Sequence, residues 1–247
     1  MALAVGTGRA TDRAIQEIAI TVGEAMVPAL LDGRKTQVRY AIKPQPEDIR
    51  SPAHPEESAR FGQSTFGMVR IDGSDWEPLH CPYGQPDARL LVRETYGAFG
   101  RWETRYSPGK KREEWHFSDM TIASGLAYRF DIAGLPRGSY APEPGWHRRP
   151  ARSMPRAASR VVLEVINVRI GRLHDINEAD ATAEGVTMFS DNFINGLPGW
   201  EGFPEALPRA SARDAYIDHW DSLNDASGYG WDLNPWVWVI EFLKVST

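Results

Sequence analysis

The sequence predicts a mixed α+β protein that is mainly β, built as a small β-barrel with short peripheral helices and long loop insertions. Three observations support this fold class. Several short segments are rich in alternating or β-branched apolar residues, which is typical of strands. Only two or three short segments have apolar residues at helical spacing. Strands and helices do not alternate regularly along the chain, as they do in proteins built on a parallel sheet.

The predicted elements follow from apolar patterns and from residues that start or stop a helix. Strands are predicted, in chain order, at residues 18–22, 36–42, 88–96, 127–131, 159–169 and 234–242. Helices are predicted at residues 25–31, 173–185 and 211–223. The strongest strand is the fifth, where apolar residues alternate among β-branched neighbours. Asn177 is the predicted N-cap and Gly185 the predicted C-cap of the second helix.

A single domain is predicted to account for most of the chain. Residues 1–14 are predicted to be an N-terminal extension, and residues 15–247 to be one domain. Loop insertions into this domain are predicted near residues 44–86, 98–126, 133–155 and 187–210. The first insertion contains many prolines and is predicted to be largely loop, with a short hairpin arm at residues 68–71. Insertions of this length in a compact domain are usually functional or partly disordered.

The composition excludes several classes of protein. The 247 residues are 42% hydrophobic, which is enough for one sizeable core. No apolar run approaches about 18 residues, so no membrane span is expected, and a secretory signal pattern is absent; we therefore expect a cytoplasmic protein. The single cysteine, Cys81, excludes an internal disulfide. The histidines have no metal-ligand spacing and no glycine-rich phosphate loop occurs, so neither a metal nor a cofactor is predicted.

Charge is distributed unevenly along the chain. The net charge of the whole chain is −5, which argues against strong nonspecific binding of nucleic acid. Residues 101–172 nevertheless carry a net charge of +7, and residues 173–247 carry −10. The basic middle segment either forms one face for a polyanion or pairs with the acidic C-terminal part within the molecule. Both interpretations fit the sequence.

The segment Gly33–Arg39 carries the chemistry that the sequence indicates most clearly. A glycine stops the predicted helix at residues 25–31, and a cationic strand begins directly after it. Lys35 and Arg39 are therefore expected at the opening of any cleft that this helix covers. Two cations and the Thr36 hydroxyl within a few residues can bind phosphate or polarise a carbonyl. An ordinary solvated turn has the same spacing.

The order of these predicted elements and motifs resembles that in the ASCH family, a branch of the PUA-like β-barrels associated with RNA. The resemblance is greatest to the longer members encoded by phages and prophages, and it extends from about residue 18 to residue 242 with interruptions at the loops. Four segments carry it: the opening helix with residues 33–36, the strand at residues 87–95, the block at residues 154–160 and the tail from residue 220 to residue 239.

The resemblance implies a closed barrel with a cleft between the motif at residues 33–36 and the helix that ends at Glu184. Some small bacterial members are amidohydrolases that remove the acyl group from N4-acetylcytidine, using a lysine and a threonine of a G-x-K-x-x-T motif and a later glutamate. Carried over by motif, the catalytic residues are Lys35 and Glu184. Val38 occupies the threonine position and has no hydroxyl. Thr36 lies two residues back, on the expected strand face of residue 38, and is the candidate substitute.

Further charged residues are assigned to binding. The predicted ligand-binding residues are Arg34, Arg39, Arg93 and Glu94, although cross-strand pairing on the barrel exterior explains the last two equally well. An arginine run follows Trp146 and His147, and arginines beside aromatic residues suit single-stranded RNA. The predicted nucleic-acid-binding residues are Arg148, Arg149, Arg152, Arg156 and Arg160. A solvated loop is the alternative explanation for this run.

Three functions follow from this sequence analysis. The leading hypothesis is a protein that binds RNA or a modified nucleoside in a cleft that contains Lys35, Arg39 and Glu184. The second is a metal-independent hydrolase, either an amidohydrolase acting on N4-acylated cytidine or a ribonuclease. The third is a phage-related interaction protein without catalytic activity. Val38 favours binding over catalysis, because valine cannot act as a nucleophile or carry a proton.

Overall fold

A computed structural model describes residues 15–50, 65–73, 75–136, 140–194, 197–202 and 207–245. The predicted N-terminal extension at residues 1–14 lies outside these ranges, as does residue stretch 51–64 of the first predicted insertion. The protein is mainly β, with 40% strand against 21% helix, which confirms the predicted mixed, mainly β class. In the described part of the chain, the sheets do not close into a barrel.

The strands and α-helices are short apart from three long strands and one helix. The strands are β1 Glu17–Thr21, β2 Gln37–Ala41, β3 Asp48–Arg50, β4 Thr65–Arg70, β5 Glu77–His80, β6 Arg89–Arg93, β7 Tyr96–Ser107, β8 Arg112–Asp119, β9 Gly145–Arg149, β10 Val162–Arg172, β11 Thr187–Ile194, β12 Leu197–Glu201 and β13 Trp236–Val245. The α-helices are α1 Val27–Leu31, α2 Glu178–Ala183 and α3 Ala212–Asn224.

A five-stranded sheet with the order β1-β6-β10-β13-β2 forms the centre of the molecule. β1 runs parallel to β6, and the other neighbours are antiparallel. The longest pairing joins β10 to β13, from Val162 opposite Val245 to Arg172 opposite Trp236. In this sheet β2, which contains the end of the cationic segment Gly33–Arg39, lies next to β13, the strand with the longest apolar run.

Both faces of β13 are buried, which explains why its sequence is continuously apolar rather than alternating. Val237 and Val239 pack in one core cluster with Tyr216 of α3. Trp238 and Ile240 pack in a second cluster, on the opposite face, with side chains of β6 and β10. The sheet therefore separates two apolar layers, and α3 covers one of them.

The predicted N-cap of the second helix, Asn177, is confirmed, but the α-helix is shorter than the predicted residues 173–185 and covers only Glu178–Ala183. The Asn177 side chain accepts a hydrogen bond from the backbone N–H of Asp180, and Ser211 accepts one from Asp214. Gly185 follows α2 with a φ of +101°, a conformation that favours glycine and turns the chain back towards the sheet. These local signals determine where α2 and α3 begin and where α2 ends.

All four predicted loop insertions contain strands, which corrects the prediction that they are loops. β3, β4 and β5 form a three-stranded sheet in the first insertion, and β11 pairs with β12 in the last. β7 and β8 form a long hairpin that β9 extends to a third strand. The strand predicted at residues 127–131 is reduced to one isolated bridge between Arg129 and Gly97.

Candidate functional site

A cavity of about 180 Å³ lies beside β2, between α1 and α3. Its apolar wall includes Ile20, Leu30, Val38, Leu163, Leu223 and Phe242. Its titratable groups are Lys35, Arg39, Tyr40, Glu184, Tyr216 and His219. Two of the core clusters contribute to this wall, so that the charged groups meet an otherwise apolar and aromatic surface.

The turn after α1 directs Lys35 inward. Gly33 has a φ of +74°, which permits the chain to reverse directly after the helix. The backbone N–H of Lys35 then donates to the carbonyl of Ala29, and that of Thr36 donates to the carbonyl of Ala183 at the end of α2. The two backbone bonds hold the motif between α1 and α2, with the lysine side chain facing the residue after α2.

Lys35 and Glu184 form a buried ion pair. The Lys35 Nζ lies 2.7 Å from the Glu184 Oε2 and also donates to the Glu184 backbone carbonyl at 2.6 Å. The two residues are only 5% and 3% exposed. Removing two charges from water costs several kcal/mol per ion, so such a pair persists only where hydrogen bonds satisfy both groups. Here the ammonium has two short acceptors.

Arg39 fixes the second carboxylate oxygen of Glu184. Its Nη1 lies 3.0 Å from the Glu184 Oε1 and donates to the Gln37 side chain at 2.5 Å. Its Nη2 pairs with Asp180 at 3.0 Å, and Asp180 in turn pairs with Arg169 near the surface. Each oxygen of Glu184 therefore has its own cation, and the carboxylate cannot rotate without breaking a bond.

The remaining titratable groups of the cavity are uncharged at neutral pH. Burial raises the pKa of Tyr216 well above its ordinary value, and the Glu184 carboxylate raises it further. The pKa of Tyr40 is also raised, by burial first and then by Tyr83 and Glu184. Burial and the Lys35 ammonium lower the pKa of His219 to about 4. Charge in the cavity is thus confined to the cluster around Glu184.

The sequence analysis did not identify Tyr216 and His219 as site residues. Both lie on α3, spaced three residues apart on one side of the helix, and their rings meet at a centroid distance of 6.3 Å. The sequence did contain one indication of these two residues: they are polar aromatic side chains within a predicted helix, close to its apolar residues Ala215 and Trp220. On its own this pattern is typical of an amphipathic helix packed on a core.

Val38 and Thr36 lie differently with respect to the cavity. Val38, at the threonine position of the resembled motif, lines the cavity. Thr36 is exposed and is not among the described residues that line the cavity. Thr36 is therefore not placed to substitute for the hydroxyl that is missing at residue 38.

The other predicted ligand-binding residues, apart from Arg39, do not line the cavity. Arg34 is exposed and donates to Thr187 at 2.8 Å, while also pairing with Asp32. Arg93 is half-buried at the end of β6. Glu94 is buried, and both of its carboxylate oxygens accept from Arg160, at 2.8 and 2.9 Å. Both oxygens of Glu94 are therefore occupied by one of the arginines that were predicted to bind nucleic acid.

Most of the predicted nucleic-acid-binding arginines are engaged within the molecule. Ion pairs join Arg148 to Glu24, Arg156 to Glu17 and Arg160 to Glu94, at 2.7, 2.6 and 2.8 Å. Arg149 lies over the Phe117 ring at 4.2 Å, and Arg152 is exposed. The acidic partners in these pairs come from the first hundred residues. Arg169, by contrast, pairs with the acidic C-terminal part through Asp180 and Glu241.

Further searches of the described residues and of known proteins gave negative results. The ranges that the structure describes contain no group of three or more His, Cys, Asp or Glu side chains that could hold a metal ion. None of the helices in those ranges is long and apolar enough to cross a membrane. Comparison of the chain with protein-family models, with curated proteins and with solved structures found no match.

Proposed function

We propose that this protein binds a nucleoside-like ligand in the cavity beside β2, on a fold of the ASCH type. One observation carries this proposal: the Lys35–Glu184–Arg39 cluster is buried, yet it forms part of the wall of an open, mostly apolar space. A buried ion cluster is weak evidence for stability, because apolar residues of similar volume are often as stabilising. A cluster at a cavity wall is better explained by recognition of a polar group.

The size and lining of the cavity suit a single aromatic ring. A cavity of roughly 150 Å³ holds benzene, so about 180 Å³ accommodates a pyrimidine-sized base with a small substituent. Tyr216 and Trp220 offer aromatic surface, and Lys35 offers a charged donor to a carbonyl of the ring or its substituent. The sugar would extend to the mouth of the cavity.

The same observations favour a nucleoside over an RNA chain as the ligand. An RNA strand needs cations that are free to contact phosphates, whereas Arg148, Arg156 and Arg160 each pair with a carboxylate. Contacts to RNA phosphates would compete with these ion pairs, whereas a free nucleoside needs none of these arginines.

Binding is tested by calorimetric titration with cytidine and N4-acetylcytidine. We expect saturable binding to the wild-type chain and a loss of about ten- to hundredfold in affinity for Lys35→Met, because hydrogen bonds to charged groups are worth about 1.5 to 3 kcal/mol. Lys110→Met is the matched control, since Lys110 forms an exposed pair with Glu114 at 2.8 Å. Absence of nucleoside binding by the folded wild-type chain would leave the interaction-protein hypothesis.

Hydrolysis of an acylated base is the second candidate function. The specific observation in its favour is that positions 35, 38 and 184, which the resemblance to the amidohydrolases singles out, line the same cavity. Lys35 and Glu184 are in contact there, as a proton-transfer pair requires. Val38 brings a methyl group to the place where a hydroxyl is needed, and for this reason we rank binding above catalysis.

Restoring a hydroxyl at residue 38 distinguishes nucleoside binding from hydrolysis. We expect Val38→Thr to hydrolyse N4-acetylcytidine at least about a hundredfold faster than the wild-type chain, whose valine has nearly the same size as threonine but no hydroxyl, since a positioned proton carrier contributes a factor of that order. Mass spectrometry of the deacylated nucleoside measures the rate. Addition of Lys35→Met to Val38→Thr is expected to abolish the gain. A folded Val38→Thr variant without hydrolysis would count against a catalytic scaffold.

A further inference from the structure

One face of the β7–β8 hairpin is aromatic and becomes more exposed towards the tip. Because alternate residues of a strand share a face, the register of β7 with β8 places Trp102, Tyr106, Trp115 and Phe117 on the same face. Trp102 and Phe117 meet at its base, whereas Trp115 and Tyr106 are 47% and 59% exposed. Tyr140 stacks on the Trp115 ring at a centroid distance of 5.2 Å and is 54% exposed. A contiguous exposed patch of large aromatic side chains is typical of an interaction surface.

β8 is an edge strand whose outer backbone groups are unpaired. In the part of the chain that the structure describes, β8 pairs with β7 alone. Trp102, which lies opposite Phe117, donates its backbone N–H to the carbonyl of Ala141 on the other side of β7. The backbone groups of Phe117 therefore point away from β7, and so do those of Trp115 and Glu113, because the direction alternates along a strand. Such an edge is a template for pairing with another strand.

We propose that β8 pairs with β8 of a second copy of this chain, in an antiparallel arrangement with Trp115 at the two-fold axis. An axis perpendicular to the sheet keeps the aromatic faces of both copies on one side of the joined sheet. Tyr140, Trp115 and their two counterparts then form one continuous aromatic row. Aromatic cross-strand pairs and the added backbone hydrogen bonds both stabilise the joined sheet. This inference does not depend on nucleoside binding in the cavity beside β2.

The charges of β8 fit this register better than the adjacent ones. Charged side chains on an edge strand usually prevent pairing between copies. With Trp115 at the axis, no like charges are directly opposed, and Lys111 lies opposite Asp119 of the second copy. Moving the axis to residue 114 places Glu114 opposite its own counterpart, and moving it to residue 116 places Glu113 opposite Asp119. Directly opposed like charges are destabilising, so the edge favours the register that is centred on Trp115.

Two substitutions at residue 113 test the backbone pairing. Glu113→Pro removes an N–H that points away from β7, so it keeps the β7–β8 bonds and blocks pairing with a second copy. Glu113→Ala keeps the N–H and is the matched control. Sedimentation of the full chain at increasing concentration measures the dimerisation constant, and circular dichroism verifies folding. We expect wild-type protein and Glu113→Ala to dimerise similarly, and Glu113→Pro to dimerise at least about tenfold more weakly, since two symmetry-related hydrogen bonds are lost.

Cysteine cross-linking tests the register. In the proposed pairing, the Cα of residue 115 lies about 5.5 Å from its counterpart, a distance that a disulfide can bridge. The Cα of residue 113 lies about 14 Å from its own counterpart, because each strand residue adds about 3.4 Å. In a chain that also carries Cys81→Ser, we expect Trp115→Cys to form a covalent dimer on mild oxidation and Glu113→Cys to remain a monomer under the same conditions.

Three results would overturn the inference. A wild-type chain that stays monomeric at every concentration would show that the aromatic face does not bind a second copy. Dimerisation that Glu113→Pro leaves unchanged would place the contact on another surface, as would a cross-link that forms equally well through residues 113 and 115. If Glu113→Pro does not fold, the two cysteine variants still decide, because they remove no backbone N–H from β8.

Discussion

Glu184→Ala is expected to lower the free energy of unfolding by about 3 to 5 kcal/mol, the range observed when one partner of a buried ion pair is removed. The physical reason is the loss of both cation contacts at once. Lys35 retains only the backbone carbonyl of residue 184 as an acceptor, and Arg39 retains Asp180 and Gln37. An ammonium buried without a carboxylate is then the main penalty.

Glu114→Ala is the matched control for this prediction. Glu114 pairs with Lys110 at 2.8 Å, almost the same distance as in the Lys35–Glu184 pair, but the lysine is mostly exposed. Exposed pairs are worth about 0 to 1 kcal/mol. Urea unfolding followed by circular dichroism measures both variants. Losses of similar size in the two would show that Lys35 is not desolvated in the native protein.

The double variant Lys35→Met, Glu184→Gln separates stability from recognition. Removing the ammonium together with the carboxylate eliminates the unpaired charge, so this variant is expected to regain at least about half of the stability lost in Glu184→Ala. Nucleoside binding is not expected to return, because the charged donor is absent. Recovery of both properties would show that the ion pair has no part in recognition.

The elements that were predicted correctly have strong local signals. α2 and α3 begin at Asn177 and Ser211, whose side chains cap the first turn, and such caps depend on sequence over only four residues. β13 was predicted from an apolar run, which its burial on both faces explains. The local sequence was therefore sufficient to predict these elements, and the tertiary contacts agree with it.

The strands in the predicted insertions were missed for a physical reason. The β7–β8 hairpin alternates polar and aromatic residues, and much of its length is exposed on both faces. Its stability comes from cross-strand pairs such as Trp102 with Phe117, which meet edge to face at a centroid distance of 5.4 Å. Pairs of this kind join residues distant in sequence, so a local apolar pattern does not reveal them.

The site was predictable in part. Lys35 and Glu184 are 149 positions apart, and only the resemblance to the ASCH family brought them together before their 2.7 Å contact was seen. Arg39 was expected at the cleft, but its bond to the second oxygen of Glu184 depends on the packing of α2 against β2. The bidentate pair between Glu94 and Arg160 also depends on tertiary packing, because the two residues are 66 positions apart in the sequence.

A loss of stability below pH 6.5 is the second large effect that we expect. Burial and Lys35 lower the pKa of His219 from 6.5 to about 4 in the native protein, and the unfolded chain has the ordinary value. Between these two values the unfolded state binds a proton that the native state does not. Stability therefore falls as the pH decreases through this window and is fully retained above it.

The size of this pH effect is obtained by comparison with a variant that cannot titrate. Between pH 7.5 and pH 4.5 we expect wild-type protein to lose about 2 to 3 kcal/mol more than His219→Gln. Urea unfolding at each pH gives this difference, and the contributions of carboxylates common to both proteins cancel. Parallel pH profiles would mean that His219 titrates normally, in contact with solvent. A steeper loss in wild-type protein would show that burial and Lys35 keep the imidazole neutral in the native protein.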